Sequence, residues 1–350
     1  MPRSRPLNRK PDPGPAGPSR GIRTSRRAFV LGAAAVTASA AAGLHAGPAR
    51  AAGPAPVGTG ARVISETYLG ERTLDLVIES PALTGTAAVR LLLPPGWTPG
   101  TQQTWPVLYL LHGAGDDYTS WTRSTDVAAL VKHSDLLVVM PTAGRNGFYS
   151  DWLKPGLNDA SRWETFHLGE MVPILETGYG AGKDRAIAGL SMGGFGAMSY
   201  AARHPGMFRA AAAYSGLVHT TYQSPRGPSL IHGVLVKEGY DPYALWGDPF
   251  VHQHIWAAHN PFDQAAALTG MPLYVACGNG KPGPLDPPGT LPDLLIEPLC
   301  GEESAAFVDK LRQLGADVTA DLYGPGTHSW PWWQRGLHRS LPMLTNAVGL

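Results

Sequence analysis

The junction RAIAGLSMGGFGAMSYAARHP (185–205) constrains this chain more than any other stretch. An apolar, strand-length run ends at one serine, Ser191, and an Ala/Met-rich run of helical character follows at once. Gly189 and Gly193 stand two residues either side of the serine, giving G-x-S-x-G. A strand that turns straight into a helix holds the residue at the corner in a strained conformation. Side chains two positions away would collide there, and glycine removes them. Such a corner holds a hydroxyl out at the carboxyl end of a sheet, beside the free N–H groups of a helix start. A chain with this corner is therefore expected to contain a sheet with helices packed across it.

The rest of the chain agrees. AVRLLLP (88–94), WPVLYLLHG (105–113), DLLVVMP (135–141), RAAAAYSG (209–216), MPLYVACGNG (271–280) and ADVTADLYG (316–324) read as strands. TFHLGEMVPILETGY (165–179) and ESAAFVDKLRQLG (303–315) have helical spacing. Continuously apolar strands alternating with helices predict an α/β fold, a mainly parallel sheet covered on both faces. Residues 63–350 are expected to form one such domain, preceded by a loose Gly/Pro/Ala-rich 52–62. Residues 217–262 are rich in Tyr, His, Pro and Trp with weak periodicity, and read as an insertion over the active site. GYGAGKD (178–184) lacks the spacing of a phosphate-binding loop and the Ser/Thr after Lys183, and reads as a helix-ending turn.

The first 51 residues do not belong to the core. Arg26 and Arg27 precede a short, Ala-rich apolar run, and Ala49-Arg50-Ala51 is an A-x-A cleavage pattern. Together they predict a twin-arginine export signal and a secreted or cell-wall-associated product with no stable membrane span. This leader holds nine of the 28 Lys+Arg and one of the 27 Asp+Glu, so 19 basic and 26 acidic residues remain, about −7. An acidic domain of this kind is not expected to bind nucleic acid. Cys277 and Cys300 are the only cysteines, and in an oxidising compartment they are open to pairing or to remaining buried thiols.

A serine hydroxyl needs a base, and the base needs an acid to orient it. With a strand–serine–helix corner the chain order is serine, acid, histidine. Among the downstream histidines, His328 in YGPGTHSWPWW follows the last strand, where glycines let the chain bend back over the sheet end. His338 falls on the helix beyond it and reads as surface. His252 and His254 form an H-x-H pair without a third ligand at recognisable spacing, so no metal is expected. Asp286, Asp293, Glu297, Glu302 and Glu303 all follow the strand LYVACGNG, and position alone leaves them equal. The oxyanion is expected to meet the N–H of Met192 and that of Gly113 or Ala114 in LLHGAGDDY.

The segments VLYLLHGAGDDYTSW, VVMPTAGRNGFYSDW, WETF, AIAGLSMGG, GPSLI, LYVACGNG and GTHSW occur in an order that resembles the antigen 85 family of secreted mycolyltransferases, within the esterase D-like α/β-hydrolases. The resemblance spans about residues 63–345. It implies an α/β-hydrolase fold and acyl transfer without cofactor or metal. It places the acid at Glu297, which follows an aliphatic residue and precedes Phe307 and His328 at the family's spacing. The loop HGAG is about two residues shorter than the family's, which favours Ala114 as second oxyanion donor. His112 stands where trehalose-mycolylating members carry an aspartate that holds the sugar, and the arginine that follows it there is missing. His112 and Trp330 are accordingly expected at the substrate. The implied activity is transfer of an acyl group from a lipid or other ester to an alcohol by a monomer acting through Ser191, His328 and Glu297. Ester hydrolysis is the alternative, and a non-catalytic extracellular adhesin the rival from another class.

Overall fold

The computed structural model describes residues 60–154 and 162–350. The expected export signal lies outside the described residues, as does most of the loose segment after it. The end of that segment is already in the fold, because Ala61 is fully buried and the first strand starts at Arg62.

Nine strands form one sheet: β1 (Arg62–Tyr68), β2 (Thr73–Ser80), β3 (Gly85–Leu92), β4 (Trp105–Leu111), β5 (Leu137–Pro141), β6 (Ala181–Leu190), β7 (Ala210–Tyr214), β8 (Leu273–Gly278) and β9 (Val318–Gly324). Their order across the sheet is β1-β2-β3-β5-β4-β6-β7-β8-β9. From β5 to β9 every neighbouring pair is parallel, and β1, β2, β3 and β5 are joined by antiparallel pairs. The mainly parallel α/β expectation therefore holds, with an antiparallel meander added at one edge.

The helices, in chain order, are α1 (Ser120–Ser124), α2 (Val127–Leu130), a π-helical segment (Thr165–Met171) running into α3 (Val172–Gly178), α4 (Met192–Arg203), α5 (Arg226–Lys237), α6 (Gln253–His259), α7 (Ile296–Gln313) and α8 (Trp330–Ala347). Strand side chains alternate between two cores, as a period of two requires. Val107, Tyr109 and Leu111 of β4 face a core that holds Phe166, Met192, Phe195 and Phe307. Leu108 and Leu110 face the other, with Trp121, Val127, Trp333 and Leu337. Burying each such side chain contributes about 2 kcal/mol.

Three expectations shift. The helix expected from Glu303 begins at Ile296, because the Asp293 carboxylate accepts the N–H groups of Leu295, Ile296 and Glu297 and satisfies the first turn. The helix expected over 165–179 opens as a π-helix, and Pro173 offers no N–H to the turn before it. Residues 217–262 contribute α5, α6 and the Trp246–Trp256 aromatic pair to the first core.

Candidate active site

Ser191 occupies the corner between β6 and α4 with φ 52°, ψ −119°. Its N–H donates to the Tyr214 carbonyl across the sheet, and its carbonyl accepts from Phe195 in the first turn of α4. A Cβ on Gly193 would fall 2.4 Å from the Leu111 carbonyl oxygen, so that residue must be glycine for α4 to press onto the end of β4. The Met192 N–H lies at the first position of α4, beside the serine.

Ser191 and His328 line one cavity of about 320 Å³, together with Gly113, Ala114 and Leu190. No hydrogen bond joins the serine hydroxyl to the imidazole among the described residues, and such contacts often tighten only around substrate. The imidazole itself is fixed. His328 Nδ1 lies 2.7 Å from Glu297 Oε2. The other carboxylate oxygen, Oε1, accepts the Gly278 N–H at 2.7 Å, the Ser215 hydroxyl at 2.9 Å and the Cys277 thiol at 3.3 Å. Burial alone would raise the Glu297 carboxyl, but the bonds from His328, Gly278 and Ser215 hold it below the usual carboxylate range. A buried carboxylate that accepts four hydrogen bonds keeps its charge and its orientation.

The remaining acid candidates do other work. Asp286 accepts from Thr327, Ser329 and the Trp332 indole, which ties down the loop that carries His328. Asp293 starts α7. Glu302 pairs with Arg226 at the surface. Glu303 is fully buried and, among the described residues, takes only the His219 N–H, and burial pushes its carboxyl up to about 8. Cys277 and Cys300 are both buried free thiols. No group of three or more potential metal ligands occurs among the described residues.

The loop after β4 is held by three side chains acting on three consecutive carbonyls. The Trp121 indole donates to Leu111 O at 3.1 Å, the Tyr149 hydroxyl to His112 O at 2.9 Å, and His112 Nδ1–H to Gly113 O at 2.8 Å. The loop tip is tied by Gly115 N–H to Arg145 O at 2.7 Å. Gly113 packs directly on the Ser191 turn, where an added Cβ would meet Ser191 Cβ at 3.5 Å. Ala114 is exposed on the cavity wall.

His112 requires a correction. It was expected at the substrate, but it is buried beneath the loop and absent from the cavity lining. Both ring nitrogens are engaged, Nδ1 as above and Nε2 by the Ala143 N–H at 2.9 Å. A neutral imidazole with both nitrogens bonded is buried here at little cost. Trp330 does line the cavity, edge-on to Trp121 and Trp333. Among the described residues, none from 217–262 lines this cavity. Residues 217–262 meet the loop after β5 through the exposed Arg145–Glu238 ion pair.

Ser215 and Tyr149 were not singled out in the sequence. Ser215 donates to Glu297 and accepts the Trp333 indole N–H at 3.2 Å, from a backbone held at φ 47°. Its position just past the carboxyl end of β7 was the available signal. Tyr149 gave none, because its role arises from a turn with φ 46°.

The putative esterase family model matches residues 80–344. The diacylglycerol acyltransferase/mycolyltransferase Ag85B of Mycobacterium intracellulare is 34% identical over 259 residues, 70% of this chain and 76% of that protein. The structure of MPT51 from Mycobacterium tuberculosis superposes with a TM-score of 0.65 at 23% identity, covering 80% of this chain and all of that one. A ferulic acid esterase superposes with a TM-score of 0.56 at 24% identity, covering 79% and 98%. At those identities the two solved structures speak for the fold alone, and that fold is the α/β-hydrolase one. The family match and the sequence identity say more: this chain belongs to the putative esterase family, among the antigen 85 acyltransferases.

Proposed function

We propose that the protein moves acyl groups from an ester to an alcohol through a covalent intermediate on Ser191. The observation that carries this is the Glu297–His328 hydrogen bond at 2.7 Å, with that imidazole and Ser191 sharing one cavity. His328 Nε2 takes the hydroxyl proton as Ser191 Oγ attacks the ester carbonyl. Glu297 holds the ring in the Nδ1–H tautomer and stabilises the imidazolium. The N–H groups of Met192 and Ala114 receive the oxyanion, each worth about 10²- to 10³-fold in rate. His328 then gives its proton to the leaving alkoxide. An incoming alcohol reverses the sequence with His328 as base again, and water in its place makes the reaction a hydrolysis.

Leu190, Trp330 and Trp333 give the cavity an apolar wall, which suits a hydrocarbon acyl group. The antigen 85 relatives favour transfer over hydrolysis. The leader with Arg26 and Arg27 supports export, and the secreted chain is expected to begin near Ala52. Among the described residues no helix is long and apolar enough to cross a membrane.

A fluorophosphonate probe tests the core of this reading. It should label the wild-type protein at Ser191 and leave Ser191→Ala untouched. Absence of labelling would favour the adhesin reading. With one acyl donor and an alcohol competing against water, the ratio of new ester to free acid then separates transferase from hydrolase. Mass spectrometry of secreted material with residues 1–51 still attached would refute the export reading.

A further inference from the structure

The geometry points to a buried, one-directional hydrogen-bond chain that starts at Tyr200 and ends on the peptide whose N–H receives the oxyanion, with His167 and His112 as positioning residues. Four bonds make the chain. Tyr200 Oη lies 2.9 Å from His167 Nδ1. His167 Nε2 lies 2.8 Å from the Thr142 carbonyl oxygen. The Ala143 N–H reaches His112 Nε2 at 2.9 Å. His112 Nδ1 lies 2.8 Å from the Gly113 carbonyl oxygen.

The direction of every bond follows from the acceptors. A carbonyl only accepts, so His167 carries its proton on Nε2 and His112 on Nδ1. The Ala143 N–H only donates, which independently requires His112 Nε2 to be bare. His167 Nδ1 is then bare too and accepts from the Tyr200 hydroxyl. Burial lowers the basicity of both imidazoles, His167 to about 4, and raises the Tyr200 hydroxyl well above its ordinary value. Each of the three side chains is 1% exposed. The rings are therefore neutral, in opposite tautomers, with protons pointing the same way along the path.

Two of the links pass through peptide groups. Thr142 C=O and Ala143 N–H are the two ends of one peptide, clamped between the histidines. Gly113 C=O and Ala114 N–H are the ends of another, and donation to the carbonyl strengthens the N–H at the far end. Chains of aligned hydrogen bonds polarise one another by about 10–30% per bond. The Tyr149 hydroxyl does the same for the preceding peptide, through His112 O. Loop residues with no contact to substrate thus set both the aim and the donor strength of the oxyanion site. Tyr200 acts from α4, on the far side of both histidines.

This inference rests on acyl chemistry at Ser191 with the 113–114 peptide N–H as an oxyanion donor. Its test is a double-mutant cycle read in kcat and KM on an activated ester, with Ser191→Ala as control. Tyr200→Phe removes one oxygen remote from the cavity and should lower kcat about three-fold at unchanged KM. His112→Phe should lower it roughly 10- to 100-fold, below the loss of a whole oxyanion donor. His112→Asn keeps a donor near the Nδ1 position and should retain more kcat than His112→Gln, which keeps only the acceptor toward Ala143. With Asn at 112 the chain is cut, so adding Tyr200→Phe should have no further effect. Nitrogen-15 NMR of the wild-type imidazoles at pH 7 should show His112 as the Nδ1–H and His167 as the Nε2–H tautomer, whatever the variants do. Equal Tyr200→Phe effects in both backgrounds, full kcat in folded His112→Phe, or the same tautomer on both rings overturns the chain. An active Ser191→Ala protein would instead overturn the proposed function beneath it.

Discussion

Gly189 and Gly193 meet behind Ser191 so closely that a Cβ on Gly189 would fall 2.2 Å from the Gly193 carbonyl oxygen. No side chain fits that gap, and the contact is backbone on both sides. Gly189→Ala should therefore cost about 3 kcal/mol, the upper end of overpacking, and displace Ser191 at the same time. Thermal unfolding and probe labelling check the two effects. A Gly189→Ala protein with native stability and normal labelling would contradict the geometry.

The dyad gives a sharper separation. Ser191→Ala and His328→Ala should each remove about 10⁴- to 10⁶-fold of kcat, because the members act as a unit. Glu297→Gln should lower kcat by orders of magnitude, whereas Glu302→Gln, at a surface ion pair, should leave it near normal. A dead Glu302→Gln enzyme beside a working Glu297→Gln enzyme reverses the assignment.

Glu303 sets a pH dependence of stability. In the fold its carboxyl stays neutral up to about pH 8, while in the unfolded chain it ionises near its ordinary 4.5. The unfolded state therefore releases a proton that the folded state retains. Stability falls as pH rises from about 4.5 to 8 and then levels off. Glu303→Gln removes this loss, on the order of 4 kcal/mol at most by pH 8. The melting temperature of Glu303→Gln should draw ahead of wild type between pH 5 and 8, with kcat little changed. A gap that is flat across that range would falsify the assignment.

Cys277 lies against Glu297 Oε1 at 3.3 Å, and burial raises both thiols well above their ordinary range. Neither should react quickly with alkylating reagents in the native protein. Once a bulky reagent is attached to Cys277, Glu297 has no room to keep its bonds to Gly278 and Ser215, and turnover should fall at least ten-fold while Ser191 stays unmodified. Two free thiols should be counted in the unreduced, unfolded protein. Full activity after confirmed modification of Cys277 contradicts the closeness to the acid.

The central parallel strands β4, β5, β7 and β8 were legible in the sequence because they are buried on both faces and read as unbroken apolar runs. Of the meander, β3 was legible as AVRLLLP, but β1 and β2 were not. TLDLVIES alternates buried and half-buried residues, and RVISETY carries mostly polar side chains, so neither run stands out by hydrophobicity. Ser191 and His328 were legible from local context, a corner between glycines and a glycine-rich loop after the last strand. Glu297 was not separable from its acidic neighbours by position. What distinguishes it is three-dimensional: it alone of the five reaches the His328 ring. His112 was misjudged because its neighbours in sequence line the cavity, while its ring turns inward toward Ala143, 31 residues away.

If Ser191 and His328 act as proposed, the order of the strands also decides when the protein could attack the esters around it. The serine corner is complete once β6, α4 and β7 are in place, all within the middle of the chain. Its base hangs from the end of β9, the outermost strand at the sheet's far edge and the last to be synthesised, whose parallel pairing with β8 needs all of α7 in between. On that proposal, a chain that ends before His328, or in which β9 has not yet docked, holds a bare hydroxyl and nothing to activate it. On the proposed mechanism, acyl chemistry would switch on only when the final strand docks, so activity would report a finished fold.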